Sequence, residues 1–314
     1  MTATTGTGKY ERLLERCQGL EPVATAVAYP CEASALAGAI EAGQSGLIRP
    51  LLVGPAARIR ELAAAQGLGL DGVEIIESAD GPAAASRAVA LVREGRAELL
   101  MKGSLHTDEL LGAVVARETG LRAGRRLTHA FIMDIPTYHK VLVVTDGAIN
   151  IAPTLEDKVD IVQNAIDLAV SMGVAVPKVA VLAAVETVNS RMPATVDAAC
   201  LCKMAERGQI RGGILDGPLA FDNAISREAA AVKGIRSEVA GDPDILLAPD
   251  LEAANILAKQ LSFLARADSA GIVLGARVPV ILTSRADSVR SRIASAAVAM
   301  LVAHARRRNL QGAG

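Results

Sequence analysis

Short apolar runs of Val, Leu, Ile and Ala recur along this chain, and a stretch of helical periodicity follows nearly every one. Val23–Tyr29 precedes a helical run from about Cys31, and Leu47–Val53 precedes 55–66, where Pro55 suits a first helical turn. Val73–Ile76 precedes 81–94, and Glu98–Met101 precedes 107–117. The strand-like runs lack the polar alternation of a sheet with one wet face. A mostly parallel sheet covered by helices on both sides is the α/β arrangement that buries them.

The rhythm changes once. Thr128–Asp134 and Lys140–Thr145 flank Ile135-Pro136-Thr137-Tyr138, a turn that predicts an antiparallel pair. Alternation then resumes: helix 155–171, strand 178–184, helix 195–207, strand 212–215, helix 225–232, strand 245–247 and helix 251–267. Strands 272–274 and 278–282 precede a closing helix, 287–307. A chain of 314 residues exceeds one typical core. Two lobes are expected, residues 1–142 with 288–314 and residues 143–287, joined by crossovers near 140–145 and 284–290.

Composition narrows the function. A net charge of -1 argues against a general nucleic-acid or anionic-membrane binder, and 2% aromatics without Trp argues against base-stacking platforms. No apolar stretch reaches the roughly 20 residues of a membrane span, and Met1–Gly8 lacks the apolar core of a secretory signal. Cys17, Cys31, Cys200 and Cys202 have no zinc-site spacing and read as reduced structural thiols of a cytoplasmic protein.

In open α/β sheets, ligands sit beyond the carboxyl ends of the strands. Lys102-Gly103-Ser104-Leu105-His106-Thr107-Asp108 offers a charge, a close-approach glycine and hydroxyls to a phosphate, or a turn with Thr107 as helix cap. It lacks the glycine-rich cradle of a Walker loop. Thr145-Asp146-Gly147-Ala148-Ile149-Asn150 follows another strand; Asp146 there orients a ligand hydroxyl or holds a turn. Asp216-Gly217-Pro218 and Asp222 form a loop whose carboxylates suit a divalent metal, a proton or a helix cap. Asn255 and Lys259, four apart, share a helix face. His106 and His139 titrate near neutrality but stand in no recognisable triad order. At Leu282-Thr283-Ser284-Arg285-Ala286-Asp287-Ser288 an apolar run stops at a hydroxyl, a guanidinium and a carboxylate just before a helix, which suits an anion or, taken alone more readily, a helix cap from Ser284 or Asp287.

Together these segments, with Ala184-Val185-Glu186-Thr187-Val188-Asn189, Leu215–Asp222 and Pro249–Asn255, resemble the phosphate acetyltransferase and phosphate butyryltransferase family from about residue 20 onward. The resemblance implies a two-lobed fold of mostly parallel three-layer sheets with an inter-lobe cleft, shared with isocitrate and isopropylmalate dehydrogenases. It implies reversible acyl transfer between coenzyme A and inorganic phosphate by direct attack in a ternary complex, and a homodimer. No metal and no tightly bound cofactor is implied; coenzyme A is a substrate. Arg285 would hold phosphate and Ser284 would donate to the CoA sulfur or the oxyanion. Lys102, Gly103, Ser104, His106, Thr107, Thr145, Asp146, Asn150, Gly217, Pro218, Asp222, Asn255 and Lys259 would bind phosphate or CoA. The acetyl branch carries an aspartate base seven residues after its serine, where this chain has Ser291, leaving Asp287, Asp216, another group or water to take the thiol proton. The Thr283–Ser288 run and the compact length look closer to the butyryl branch. Two other readings are a metal-dependent hydroxy-acid dehydrogenase using Asp216 and Asp222, and a catalytically silent CoA or acyl-phosphate sensor.

Overall fold

The computed structural model describes residues 8–282 and 288–311, the side chains of 310 and 311 excepted. The elements begin with α1 (Lys9–Glu15), β1 (Val23–Ala28), α2 (Ala33–Gln44), β2 (Ile48–Val53), α3 (Ala56–Gln66) and β3 (Glu74–Ile76). Next come α4 (Gly81–Arg93), β4 (Leu99–Lys102), α5 (Thr107–Val115), β5 (Thr128–Asp134), β6 (Leu142–Thr145), α6 (Leu155–Ser171) and β7 (Lys178–Leu182). The chain continues with α7 (Pro193–Glu206), β8 (Ile214–Leu219), α8 (Phe221–Ile225), α9 (Arg227–Val232) and β9 (Ile245–Leu247). It closes with α10 (Leu251–Phe263), β10 (Asp268–Leu274), β11 (Val280–Ile281) and α11 (Val289–Gln311).

Contacts divide the chain into two compact units, one of residues 10–125 with 270 onward, the other of 126–269 with Lys9. The sequence reading set the divisions at 142/143 and 287/288. They fall earlier because β5 pairs antiparallel with β6 and so belongs with the second unit, while β11 pairs with β4 and stays with the first.

In the first unit the strand order is β3-β2-β1-β4-β11-β10, parallel except for β10 against β11. Every β1 residue is buried, as expected of a strand covered on both faces. Helix α11 packs on α2, where Gly38 leaves room for Arg292: a Cβ there would lie 2.7 Å from the arginine Cδ. In the second unit the order is β5-β6-β9-β7-β8, parallel but for the β5–β6 pair. Its core gathers Met133, Leu142, Val144, Leu182 and Leu246.

Three local expectations are corrected. Strand β8 runs on through Asp216-Gly217-Pro218, which the sequence reading had as a loop. The helix expected at 225–232 is two short ones, and Asp222 lies inside α8 instead of capping it; Ala220 is at the N-cap. The N-cap of α5 is His106, not Thr107.

At the amino ends of β6, β7 and β9 a charge cluster holds the second unit together. Asp242 pairs with Lys178 at 2.7 Å, Lys140 at 3.1 Å and His139 at 2.9 Å, while Lys140 also reaches Asp244 at 2.9 Å. Burial raises the Asp242 carboxyl, but the Lys178 and Lys140 ammonium groups outweigh it and hold it well below the usual carboxylate range. A depressed carboxyl stabilises the fold above its unfolded-state value of about 4 and loses that contribution as pH falls. Asp242→Ala removes the carboxylate that Lys178 and Lys140 share, leaving Lys140 its Asp244 partner. It is expected to cost about 2–4 kcal/mol in urea unfolding at pH 7, and markedly less near pH 3.

Candidate functional site

In the first unit, the carboxyl ends of β1 and β4 are clasped backbone to backbone. Gly103 donates its N–H to the Ala28 carbonyl at 2.9 Å, and Ser104 its N–H to the Tyr29 carbonyl at 2.8 Å. The Ser104 hydroxyl donates to the same Tyr29 oxygen at 2.7 Å and accepts from the Cys31 N–H at 3.0 Å. Tyr29 adopts φ of 55°, a left-handed conformation that costs a bulky residue of order 1–3 kcal/mol. These bonds commit Gly103 and Ser104 to shaping the loop instead of leaving their donors for a ligand. Lys102, whose Nζ lies 3.3 Å from the Gly103 carbonyl, supplies the cation at this strand end.

The N-terminus of α5 is partly occupied by the protein's own charge. Glu109 accepts the His106 N–H at 2.9 Å, and Asp108 shares the first turn. The exposed His106 and the adjacent Thr107 therefore sit at a helix start already supplied with carboxylate, which weakens its pull on an anion.

Strand β11 lies parallel to β4, with Val280 opposite Leu100 and Ile281 opposite Met101. The two strands thus end side by side. Ser284, Arg285 and Asp287 lie outside the described residues. Beyond them, Ser288 caps α11 by accepting the Ser291 N–H at 3.1 Å, and the Ser291 hydroxyl accepts from Ser288 Oγ at 3.1 Å. Ser291 is 7% exposed and carries no carboxylate, so it supplies no base at that position.

In the second unit, the turn after β6 is built around Asp146. Its Oδ1 accepts the N–H groups of Ala148 and Ile149, both at 3.0 Å, and its Oδ2 accepts the Asn150 amide at 2.6 Å. Asn150 also donates to the Leu127 carbonyl at 2.9 Å, and Thr145 donates to the His129 carbonyl at 2.9 Å. From α10, Asn255 donates to the Gly147 carbonyl at 3.0 Å. The turn-holding reading of Asp146 is thus the one observed, and Asn255 joins it, while Lys259 is exposed on α10. Gly147 sits over the Phe131 ring, where a Cβ would approach to 2.6 Å.

The two carboxylates of the Asp216–Asp222 segment have separate partners. Asp216 accepts the Gly217 N–H at 2.9 Å and acts on Cys202 of α7, whose thiol burial pushes up to about 12 with help from Asp216 and Glu206. Asp222 lies 3.9 Å from Lys233, which pairs with Glu186 at 2.9 Å. Gly217 has no room for a side chain, since a Cβ would lie 2.6 Å from the Val181 carbonyl oxygen, and the neighbouring Pro218 is buried. His139 belongs to the Asp242 cluster at the opposite strand ends, remote in role from this turn.

Sequence reasoning missed His129. It lies on β5 inside an apolar run, buried, with its ring edge-on to Phe131 at 4.4 Å between centroids. Only the β5–β6 register, which ends with Ala130 opposite Thr145, brings it to the turn at Asp146, and nothing in the local residue string signals that.

Residues 83–300 match the family described as Phosphate acetyl/butaryl transferase. The chain belongs to the phosphate acetyl/butyryltransferase family. Across 303 residues, 96% of each chain, it is 60% identical to a phosphate acetyltransferase of Rhizobium meliloti. It is 42% identical to a phosphate butyryltransferase of Clostridium beijerinckii, over 94% of this chain and 97% of that one. A solved branched-chain phosphotransacylase from Enterococcus faecalis V583 shares 30% identity and superposes with a TM-score of 0.78, covering 90% of this chain and 99% of that structure. The transferase fold is therefore mixed α/β with mostly parallel strands, as the alternation of runs predicts. The chain's identity to that acetyl-named relative is greater than to that butyryl-named one.

Proposed function

We infer that this protein is a phosphate acyltransferase: acyl-CoA and inorganic phosphate give acyl phosphate and free CoA, reversibly, with acetyl as the preferred acyl group. The observation that carries the site assignment is the parallel register of β11 on β4. It ends β11 beside the strand end that carries Lys102, and Ser284 and Arg285 follow β11 in sequence. The rest of the chemistry follows from charge. A phosphate oxygen attacks the thioester carbonyl, the C–S bond breaks as the tetrahedral adduct collapses, and the thiolate leaves as CoA. Arg285 holds the phosphate with its planar fork, Ser284 donates to the developing oxyanion or sulfur, and Lys102 adds a second positive charge.

In the reverse direction a base must take the CoA thiol proton. Ser291 cannot, which leaves the role to Asp287, Asp216 or water. The substrate-binding residues of the second unit in this reading are Thr145, Asp146, Gly147, Asn150, Asn255, Gly217, Pro218 and Asp222. Phosphate-dependent release of free CoA thiol from acyl-CoA tests this reading.

The same reading includes a cytoplasmic setting and a homodimer. All four cysteines are free, as a reducing compartment allows. Among the described residues no helix is long and apolar enough to cross a membrane. Helix α10 and its end present Ile256, Phe263 and Leu264 to solvent, the last two 82% and 80% exposed, an apolar stripe suited to a second copy. Phe263→Glu with Leu264→Glu is expected to convert a dimer to a monomer in sedimentation velocity at micromolar protein. A doubly substituted chain that sediments as a dimer would remove this face from the interface.

A further inference from the structure

His129 lies at the end of the β5–β6 ladder beside the turn that starts at Asp146: the last pair is Ala130 with Thr145, the Thr145 hydroxyl donates to the His129 carbonyl at 2.9 Å, and the Asp146 charge acts on the ring. The imidazole is 2% exposed, and its Nδ1 is buried without a hydrogen-bond partner. Leaving such an atom unmatched costs about 1–3 kcal/mol, so its presence asks for a reason. Asp146 spends its carboxylate elsewhere, on the Ala148 and Ile149 N–H groups and the Asn150 amide. Burial lowers the His129 pKa to about 4, with the Asp146 charge opposing it. Around the turn, Arg126 reaches Asn150 Oδ1 at 3.3 Å and is itself neutralised by Asp157 at 2.6 Å.

We propose that His129 is a positioning residue of the acyl-transfer site: uncharged, it leaves the Asp146 carboxylate to hold the Gly147–Asn150 turn, and on taking a proton it draws that carboxylate away and unlocks the turn. Protonation makes both ring nitrogens donors, and a cation near a buried carboxylate competes strongly with three neutral donors. The proposal rests on the reading of this turn as a wall of the substrate site. It also fixes the sign of a stability effect. A histidine whose folded pKa is lowered stabilises the fold above its unfolded value of about 6.5, and that contribution is lost as pH falls toward 4.

The test combines a titration and two variants. In isotope-labelled wild-type protein, the His129 ring should stay neutral past pH 5, and the Ala148 and Ile149 amide signals should follow its titration. Those shifts should vanish in His129→Gln. At pH 7.5, His129→Lys should raise KM for acetyl-CoA at least tenfold over His129→Gln while kcat changes less. A ring that titrates near 6.5, amide signals that ignore it, or equal KM in the two variants would overturn the proposal. If neither variant folds, the wild-type titration decides alone. Absence of phosphate-dependent thiol release from the wild type would instead refute the acyltransferase reading, and the titration would still judge the coupling of His129 to the turn.

Discussion

Replacing Arg285 with alanine is expected to lower kcat/KM for phosphate by about 10²–10³-fold, the usual cost of deleting one preorganised donor to a developing negative charge. The expectation joins sequence to placement. In sequence Arg285 comes four residues after Ile281, the last paired residue of β11, which lies opposite Met101 and next to the strand end that carries Lys102. Arg285→Lys keeps the charge but loses the bidentate fork, and should recover about one order of magnitude of the loss. The loss should appear chiefly against phosphate in the forward direction and against acyl phosphate in reverse. Near-normal phosphate kinetics in Arg285→Ala would remove the residue from the mechanism.

The second large effect is expected at Gly103. A Cβ at this position would lie 2.3 Å from the Ala28 carbonyl oxygen and 2.5 Å from that of Tyr29, and both are backbone atoms that cannot swing aside. Gly103→Ala must push β4 and β1 apart where they end, breaking the Gly103–Ala28 and Ser104–Tyr29 hydrogen bonds. A cost of about 3 kcal/mol is expected from overpacking and the lost bonds together. For a chain of this length it should lower Tm by several degrees, on the order of 2–4 °C per kcal/mol. Because the displaced loop carries Lys102, KM for phosphate should rise at least tenfold as well. Gly112 provides the control. It lies inside α5 with open space at its Cβ position, and Gly112→Ala should stabilise the protein by about 0.5–1 kcal/mol without altering KM. Equal behaviour of the two variants would mean that close packing at Gly103 is unimportant.

Much of the fold was legible in the residue string. Strand β5 and helix α6 occupy the residues expected, and the antiparallel β5–β6 pair was signalled by the Ile135–Tyr138 turn between two apolar runs. Burial on both faces is a continuous signal, so runs such as Val23–Ala28 announce themselves. Strand β8 was cut short because Asp-Gly-Pro reads as a turn. A proline is tolerated there because β8 pairs with β7 alone and its other edge needs no donor. The lobe boundaries were displaced because pairing partners, not local composition, decide which unit a strand joins.

The candidate site was legible in a different way. Its residues were found through strand ends and a family likeness, and the structure sorts them by task. Gly103, Ser104 and Asp146 build the loops, Asn255 braces one of them, and Asp216 accepts the N–H of its neighbour Gly217. Such roles depend on hydrogen bonds between distant segments, which spacing does not encode. The same holds for the Lys140–Lys178–Asp242 cluster and for His129, where single charged or polar residues gain meaning only from cross-strand neighbours.

The most direct measurement of the central claim is release of free CoA thiol from acetyl-, propionyl- and butyryl-CoA, with and without inorganic phosphate, with chelator present and no nicotinamide. Thiol release that requires phosphate, yields acyl phosphate one for one, and is fastest with acetyl-CoA is the predicted result. Release independent of phosphate, or none from any acyl-CoA by a folded protein that binds CoA, would contradict it.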